Sequence, residues 1–183
     1  MEGSDTMKLR RAALFVAMFC LAAPLTAWSL QGGANRGVAE ATINGKKVTI
    51  NYGRPKLNGR DTEKDLLGQM KIGQAWRLGM NEKTVIDSAG DLMVAGKQLK
   101  AGKYSLWVKK TGDNNYVLGF HPKADGWGAP PLTEGYVAEL PLTLGKAADS
   151  AEELVIGLAD KGGNAEINIH WGTATLTGSF GVK

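Results

Sequence analysis

The segment Glu166-Ile167-Asn168-Ile169-His170-Trp171 decides the fold class of this chain. Polar and apolar residues alternate along it with a period of two, which places both isoleucines and the tryptophan on one face of an extended strand. The same alternation recurs in Val48-Thr49-Ile50-Asn51-Tyr52 and in Tyr116-Val117-Leu118-Gly119-Phe120. Strands with one buried and one hydrated face are typical of antiparallel sheets. The pattern therefore predicts an all-β protein.

Turn signals that contain glycine separate these alternating runs. Asn44-Gly45 is the strongest of them, because both residues tolerate the positive φ that a tight hairpin requires. Many short antiparallel strands joined by such turns predict a single β-sandwich or jelly-roll-like domain over residues 38–183. One short helix is expected near residues 61–68, where Asp61 or Thr62 can cap its first turn.

The composition excludes several classes of protein. The 183 residues are 43% apolar and 22% charged, which is ordinary for a globular domain and excludes wholesale disorder. The 25 glycines follow no three-residue period, which excludes a collagen triple helix. The formal net charge of +4 is small and no basic run concentrates it, so no nucleic-acid partner is expected.

The N-terminal residues have the pattern of a secretory signal peptide. The basic stretch Met7-Lys8-Leu9-Arg10-Arg11 precedes an apolar run over residues 12–28, which is shorter than the roughly 20 residues of a membrane-spanning helix. We expect a signal peptide within residues 1–29, with its functional part at 7–29, and a flexible leader over residues 30–37. The protein is then exported, either to the periplasm or into the medium, without a stable membrane anchor after cleavage. An uncleaved anchor is the alternative.

The single cysteine, Cys20, lies inside the apolar run of the signal. Its removal with the signal leaves a cysteine-free mature chain, which excludes disulfides, thiolate nucleophiles and cysteine metal sites. The two histidines, His121 and His170, show no metal-binding spacing. We therefore expect no metal and no cofactor. Neither a serine-hydrolase elbow nor a phosphate-binding glycine loop is present, so no catalytic residue is assigned.

Two segments interrupt the alternation and carry the candidate ligand-binding residues. They run over residues 54–74 and 122–135, and the first leads into a short stretch that combines an indole, a guanidinium, an amide and a carboxylate. Arginine forks suit carboxylates and phosphates, and indole rings suit sugar faces. The alternative is that the arginines pair with Glu82, Asp61 or Asp87 and fix loops. The candidate ligand-binding residues are Arg54, Arg60, Trp76, Arg77, Asn81, Glu82 and Trp127.

The tryptophans divide between the core and the candidate site. Trp171 shares the apolar face of its strand, so it is expected in the core. On its own strand, Trp107 lies on the face opposite Leu106 and Val108. It is expected either to be exposed to water or to cover the outer face of the sheet. Trp127 stands among glycines in a loop and is the best candidate for a ligand platform.

Five short blocks occur in order along this sequence. They are Tyr52-Gly53-Arg54-Pro55, Gly59-Arg60, Trp76-Arg77-Leu78-Gly79-Met80-Asn81-Glu82, Ala101-Gly102-Lys103-Tyr104-Ser105-Leu106 and Trp127-Gly128. Together they resemble the domain-of-unknown-function family DUF2911, and the resemblance extends from about Ala41 to Trp171. It implies an exported bacterial protein with a β-rich fold, and it supplies no catalytic residue because the activity of the family is not established.

These observations favour a binding or interaction module of the cell envelope that recognises a small polar, acidic or sugar-like ligand, such as a small molecule or a glycan. One alternative is a hydrolase in which Glu82 acts as acid or base and arginines position an anionic substrate. A purely structural envelope protein is the other. Whether the protein is an enzyme, and its oligomeric state, stay open at this point.

Overall fold

Antiparallel strands make up most of the structure, a computed structural model that describes residues 35–183. The predicted signal peptide and the first residues of the predicted leader lie outside the described residues. The strands are β1 (Arg36–Ile43), β2 (Lys46–Gly53), β3 (Ala75–Trp76), β4 (Thr84–Ser88), β5 (Leu92–Val94), β6 (Lys97–Leu99), β7 (Gly102–Gly112), β8 (Asn115–His121), β9 (Ala138–Lys161) and β10 (Asn164–Val182).

These ten strands form one continuous antiparallel sheet in the order β1-β2-β4-β7-β8-β9-β10-β5-β6, with β3 paired to β7. The long strand β9 pairs with β8 through its first residues and with β10 along most of its length. The loop after β2 is hydrogen-bonded to the middle of β9. The Leu57 amide donates to the Glu152 carbonyl at 2.8 Å, and the Leu154 amide donates to the Pro55 carbonyl at 3.1 Å. The all-β antiparallel prediction is confirmed, and the two packed layers derive from one folded-over sheet.

The alternation places one side of each long strand in a shared core. Ile167, Ile169 and Trp171 are 0%, 2% and 7% exposed, as the opening segment predicts. They belong to the same apolar cluster as Val48 and Ile50 of β2, so β2 and β10 contribute side chains to one core. Burial of this shared apolar surface is the main stabilising contribution to the fold.

The Asn44-Gly45 turn joins β1 to β2 as predicted. Both residues have positive φ, 49° and 73°, and Ile43 pairs directly with Lys46 across the two-residue loop. The Asn44 side-chain amide also donates to the Val182 carbonyl at 2.8 Å. The turn thus fixes the register of the hairpin and ties it to the end of β10.

A second, smaller buried region covers the outer face of β7 and β8. Trp107 is completely buried there, and its Nε1 donates to Ser105 Oγ at 3.0 Å, while Ser105 Oγ donates to the Lys123 carbonyl at 2.9 Å. A Cβ at Gly119 would lie 2.8 Å from the Tyr136 ring, so this ring packs directly on the backbone of β8 at Gly119. Of the two alternatives for Trp107, the structure has the one in which it covers the outer face.

The predicted helix is a single π-helical turn, Glu63–Leu67. Asp61 supports its start, because Asp61 Oδ1 accepts a hydrogen bond from the Lys64 amide at 3.0 Å. No helix within residues 35–183 is both long and apolar enough to cross a membrane.

The leader is shorter than predicted, because β1 begins at Arg36 rather than after Gly37. The polar, glycine-rich composition concealed this start. The Arg36 side chain holds the strand in place: its Nε donates to Asn51 Oδ1 at 2.6 Å and its guanidinium pairs with Glu82 at 3.1 Å.

Candidate functional site

An open cavity of about 510 Å³ lies where the loop after β2, the loop after β3 and the segment around residue 127 meet the middle of β10. Its size falls within the roughly 300–1,000 Å³ typical of small-molecule sites. Five of the predicted ligand-binding residues line this cavity. They are Arg60, Trp76, Arg77, Asn81 and Trp127.

The loop after β3 reaches the cavity through an unusual backbone path. Leu78 is completely buried although its φ is 51°, and Asn81 has a φ of 63°. A Cβ at Gly53 would lie 2.1 Å from the Met80 carbonyl oxygen, so only glycine lets β2 and this loop approach so closely. The hydroxyl of Thr84 donates to the Leu78 carbonyl at 2.5 Å and closes the loop. The loop is therefore fixed by its own packing.

The Trp127 segment is bound to the same loop by its backbone. The Gly128 amide donates to the Asn81 carbonyl at 2.9 Å, and Lys83 Nζ donates to the Asp125 carbonyl at 2.6 Å. A Cβ at Gly128 would lie 3.0 Å from the Arg77 side chain and 3.0 Å from the Asn81 carbonyl oxygen, so the two segments are closely packed here. Trp127 is nonetheless 57% exposed. Its ring stands in water on an anchored segment.

An irregularity in β10 delivers a third indole to the cavity. The pairing of β10 with β9 shifts register on both sides of Gly172, whose φ is 61°. Trp171, next to it, stacks on Trp76 with ring centroids 5.8 Å apart and planes 13° apart. The Arg60 guanidinium lies over the Trp171 ring, 5.8 Å from its centroid. Arginine and two indoles thus form one stacked wall.

The three candidate arginines have different surroundings. Arg54 does not line the cavity; it pairs with Glu153 at 2.8 Å. Arg60 lines the cavity, but its donors bind the carbonyls of Leu57 and Lys56, each at 2.9 Å. Arg77 is half-buried and makes no ion pair or side-chain hydrogen bond with any residue from 35 to 183. The pairings with Glu82, Asp61 or Asp87 that we set out as the alternative are therefore wrong for all three arginines.

Glu82 also lies outside the cavity lining. Its carboxylate is 58% exposed and pairs with Arg36 at 3.1 Å, while its backbone forms a β-bridge with Trp127. Its structural role is to hold the start of β1 and the Trp127 segment together. The hydrolase alternative consequently lacks its acid or base at the cavity.

Two carboxylates line the cavity beside the short helix. Asp65 Oδ2 accepts from the Asp61 amide at 2.7 Å, and Asp61 in turn accepts from the Lys64 amide. The hydrogen bond from the Lys64 amide lowers the pKa of Asp61 below its ordinary value, against a small opposing effect of burial. Both groups therefore stabilise the helix while presenting negative charge to the cavity. Within residues 35–183 no three His, Cys, Asp or Glu side chains form a group able to hold a metal ion.

Two polar atoms of the cavity lining are buried without a partner. Thr62 and Trp171 are 6% and 7% exposed, and neither Thr62 Oγ1 nor Trp171 Nε1 has a hydrogen-bond partner within residues 35–183. An unsatisfied buried polar group costs about 1–3 kcal/mol. Buried polar groups without a hydrogen-bond partner are rare in folded proteins and often occur at functional sites.

Sequence reasoning missed the cavity roles of Trp171, Thr62 and Asp65. Trp171 is buried as expected, but it also walls the cavity. One signal was present: Gly172 interrupts an otherwise alternating strand, and a glycine there marks a bulge that can redirect its neighbour. Thr62 and Asp65 carried no such signal, because their neighbours across the cavity are distant in sequence.

Comparison with known proteins identifies a family and nothing finer. The family model described as "Protein of unknown function (DUF2911)" matches residues 34–179, which is most of the chain. No curated protein and no solved structure matches the sequence.

Proposed function

The chain belongs to the DUF2911 family, and on that premise we propose that it is a binding module that takes a small polar ligand into the cavity between Trp76, Trp171 and Trp127. This matches the leading hypothesis from the sequence. It assigns the protein to recognition rather than to catalysis, with a small molecule or a glycan as its partner.

One observation carries the proposal: an open cavity of about 510 Å³ combines an aromatic wall with an arginine that has no partner among residues 35–183. The Arg77 guanidinium has no partner within residues 35–183, so its donor fork is available to a ligand that supplies hydrogen-bond acceptors. The loop that holds it is fixed by the close contact between Gly53 and Met80. A site that is already formed loses little entropy when a ligand binds.

The distribution of carboxylates favours binding over hydrolysis. Asp61 and Asp65 both accept backbone hydrogen bonds at the helix start, and Glu82 pairs with Arg36 away from the lining. A general acid at neutral pH needs a raised pKa, whereas the pKa of Asp61 is lowered. The lining carboxylates are thus engaged at the start of the helix, which supports recognition as the role of the cavity.

We also propose that the protein acts outside the cytoplasm. The support is the basic stretch and apolar run of residues 7–29, which have the pattern of a signal peptide. Mass spectrometry of the protein recovered from the extracytoplasmic fraction should give a chain that starts near residue 30. A full-length chain recovered only with the cytoplasm would contradict export without bearing on the cavity.

The binding proposal is tested by calorimetric titration and thermal-shift screening of the mature protein against neutral sugars, acidic sugars, organic acids and cell-wall fragments. At least one class should bind and raise the melting temperature. Trp127→Ala should reduce the shift caused by ligands that contain a ring, and Arg77→Ala should reduce the shift caused by anionic ligands. Both variants should leave the unliganded melting temperature nearly unchanged, because both side chains are partly solvated. Lys103→Ala, which removes a charge from the exposed side of β7, is the matched control. Absence of binding by every class would overturn the proposal in favour of a structural role.

A further inference from the structure

The charged groups of the cavity are unequally available to a ligand. The donors of Arg60 are occupied by the carbonyls of Leu57 and Lys56, and its planar face lies over Trp171. The carboxylates of Asp61 and Asp65 are engaged at the start of the helix. Arg77 alone among these lining groups has its whole donor fork free of partners within residues 35–183. It is therefore the group that an anion would bind in a bidentate manner.

The side-chain amide of Asn81, which follows Arg77 on the same loop, is also unengaged within residues 35–183. The Asn81 backbone carbonyl accepts a hydrogen bond from the Gly128 amide. The Asn81 side-chain amide makes no hydrogen bond with any of residues 35–183. Asn81 is half-buried and lines the same cavity. An amide offers one acceptor and two donors, which matches a pair of neighbouring hydroxyls on a sugar.

The aromatic groups supply an apolar surface that is open on one side. Trp76 and Trp171 are stacked on each other, so part of their surface is already covered. Trp127 is 57% exposed, and its segment is anchored through Gly128 and Lys83. A rigid, hydrated indole face gains most from contact with a flat ring whose faces carry C–H groups. A pyranose ring has such faces.

From these three observations we infer that the cavity binds an acidic pyranose, a sugar ring that carries an anionic group. The anion binds the Arg77 guanidinium, neighbouring hydroxyls bind the Asn81 amide, and the ring stacks on Trp127. A carboxylate at C6, as in a uronic acid, and a phosphate ester share this chemistry. The inference rests on the proposed function and narrows it to one ligand class.

The test compares glucuronate, glucose 6-phosphate, glucose and glutarate by calorimetric titration of the mature protein at low ionic strength. Loss of charge-assisted hydrogen bonds predicts that Arg77→Gln weakens glucuronate or glucose 6-phosphate binding about 10- to 100-fold. The same variant should leave glucose binding within about 2-fold, because a neutral ring does not use the guanidinium charge. A higher affinity for glucuronate would identify a carboxylate as the anionic group of the ligand. A higher affinity for glucose 6-phosphate would identify a phosphate ester.

Two controls separate specific recognition from general charge. Lys103→Gln removes a positive charge outside the cavity and should leave all four affinities unchanged. Trp127→Ala should weaken both sugar classes and leave glutarate, which has no ring, unaffected. Circular dichroism of each variant should match that of the parent, since Arg77 and Trp127 lie at a solvated surface.

The outcomes distinguish this inference from the broader proposal. Glucose binding as tight as that of both anionic sugars would overturn acidic recognition and leave a binding module. An unchanged affinity of Arg77→Gln for whichever anionic sugar binds more tightly would do the same. Binding of an organic acid or a cell-wall fragment without any sugar binding would do the same. Failure of every ligand in both screens would overturn the inference and the proposed function together.

Discussion

Two tryptophan-containing regions of this molecule are buried in contrasting ways. On the outer face of β7 and β8, Trp107 is completely buried and its Nε1 donates to Ser105, whose hydroxyl in turn donates to the Lys123 carbonyl. Beside the cavity, Trp171 is almost as buried, but neither its Nε1 nor the hydroxyl of Thr62 has a partner in the part of the chain that the structure describes. The first region is a satisfied core and the second is not.

The difference lies in whether the fold itself satisfies the buried indole N–H. A region that only stabilises the fold can satisfy every polar atom, because nothing else constrains its geometry. The cavity wall instead combines a register shift at Gly172, two unpartnered polar atoms and an unengaged Arg77. Local conflicts of this kind are expected where function limits packing.

The largest effect should be a difference in stability between two tryptophan variants, one that loses a fully buried indole and one that loses an exposed indole. Trp107→Ala removes a fully buried side chain and should lower the free energy of unfolding by about 3–5 kcal/mol. Trp127→Ala removes a ring that is 57% exposed and should change it by less than about 0.5 kcal/mol. Urea denaturation of both variants measures the contrast. Similar losses would show that Trp127 is part of the structural core.

A smaller effect should distinguish satisfied from unsatisfied hydroxyls. Ser105→Ala leaves the Trp107 Nε1 without an acceptor and should cost about 1–3 kcal/mol. Thr62→Val removes a buried hydroxyl that has no partner and preserves the shape of the side chain. It should therefore leave the free energy of unfolding unchanged or raise it by about 1 kcal/mol. If chemical denaturation shows a loss in Thr62→Val equal to that in Ser105→Ala, the hydroxyl has a partner in solution.

The smallest effect should be a pH dependence that arises in the satisfied region. Burial, with smaller contributions from Lys123 and Lys83, lowers the pKa of His121 below 6.5. The unfolded chain then binds a proton before the folded one does, so stability is complete above pH 6.5. It declines as the pH falls from 6.5 towards the folded pKa of His121.

The free energy of unfolding measured between pH 7.5 and 5 should fall less steeply in His121→Gln than in the parent chain. NMR titration of the two imidazoles, assigned with a His170→Asn variant, should give His121 a midpoint below 6.5. A midpoint at or above that value would show that the imidazole is hydrated in solution.

The sequence predicted most of the fold, because its determinants are local. The period of two in β10 identified Ile167 and Ile169 as core residues, and Asn44-Gly45 fixed a hairpin through the φ values that its residues allow. Five cavity residues were also predicted, since their side chains concentrate unusual chemistry in loops. The start of β1 was misplaced, because Arg36 is held there by Asn51 and Glu82 rather than by its neighbours.

Residues close together in the chain were enough to predict an antiparallel sheet with alternating faces and chemically rich loops, because side-chain periodicity and turn conformation are local properties. The folded structure was needed to show that Arg54 pairs with Glu153, that Glu82 pairs away from the cavity, that Trp171 stacks on Trp76 and that Arg77 has no partner within residues 35–183. Local patterns do not reveal such contacts, because they join segments up to about a hundred residues apart. Whether a charged or aromatic side chain is satisfied depends on what the folded sheet places beside it.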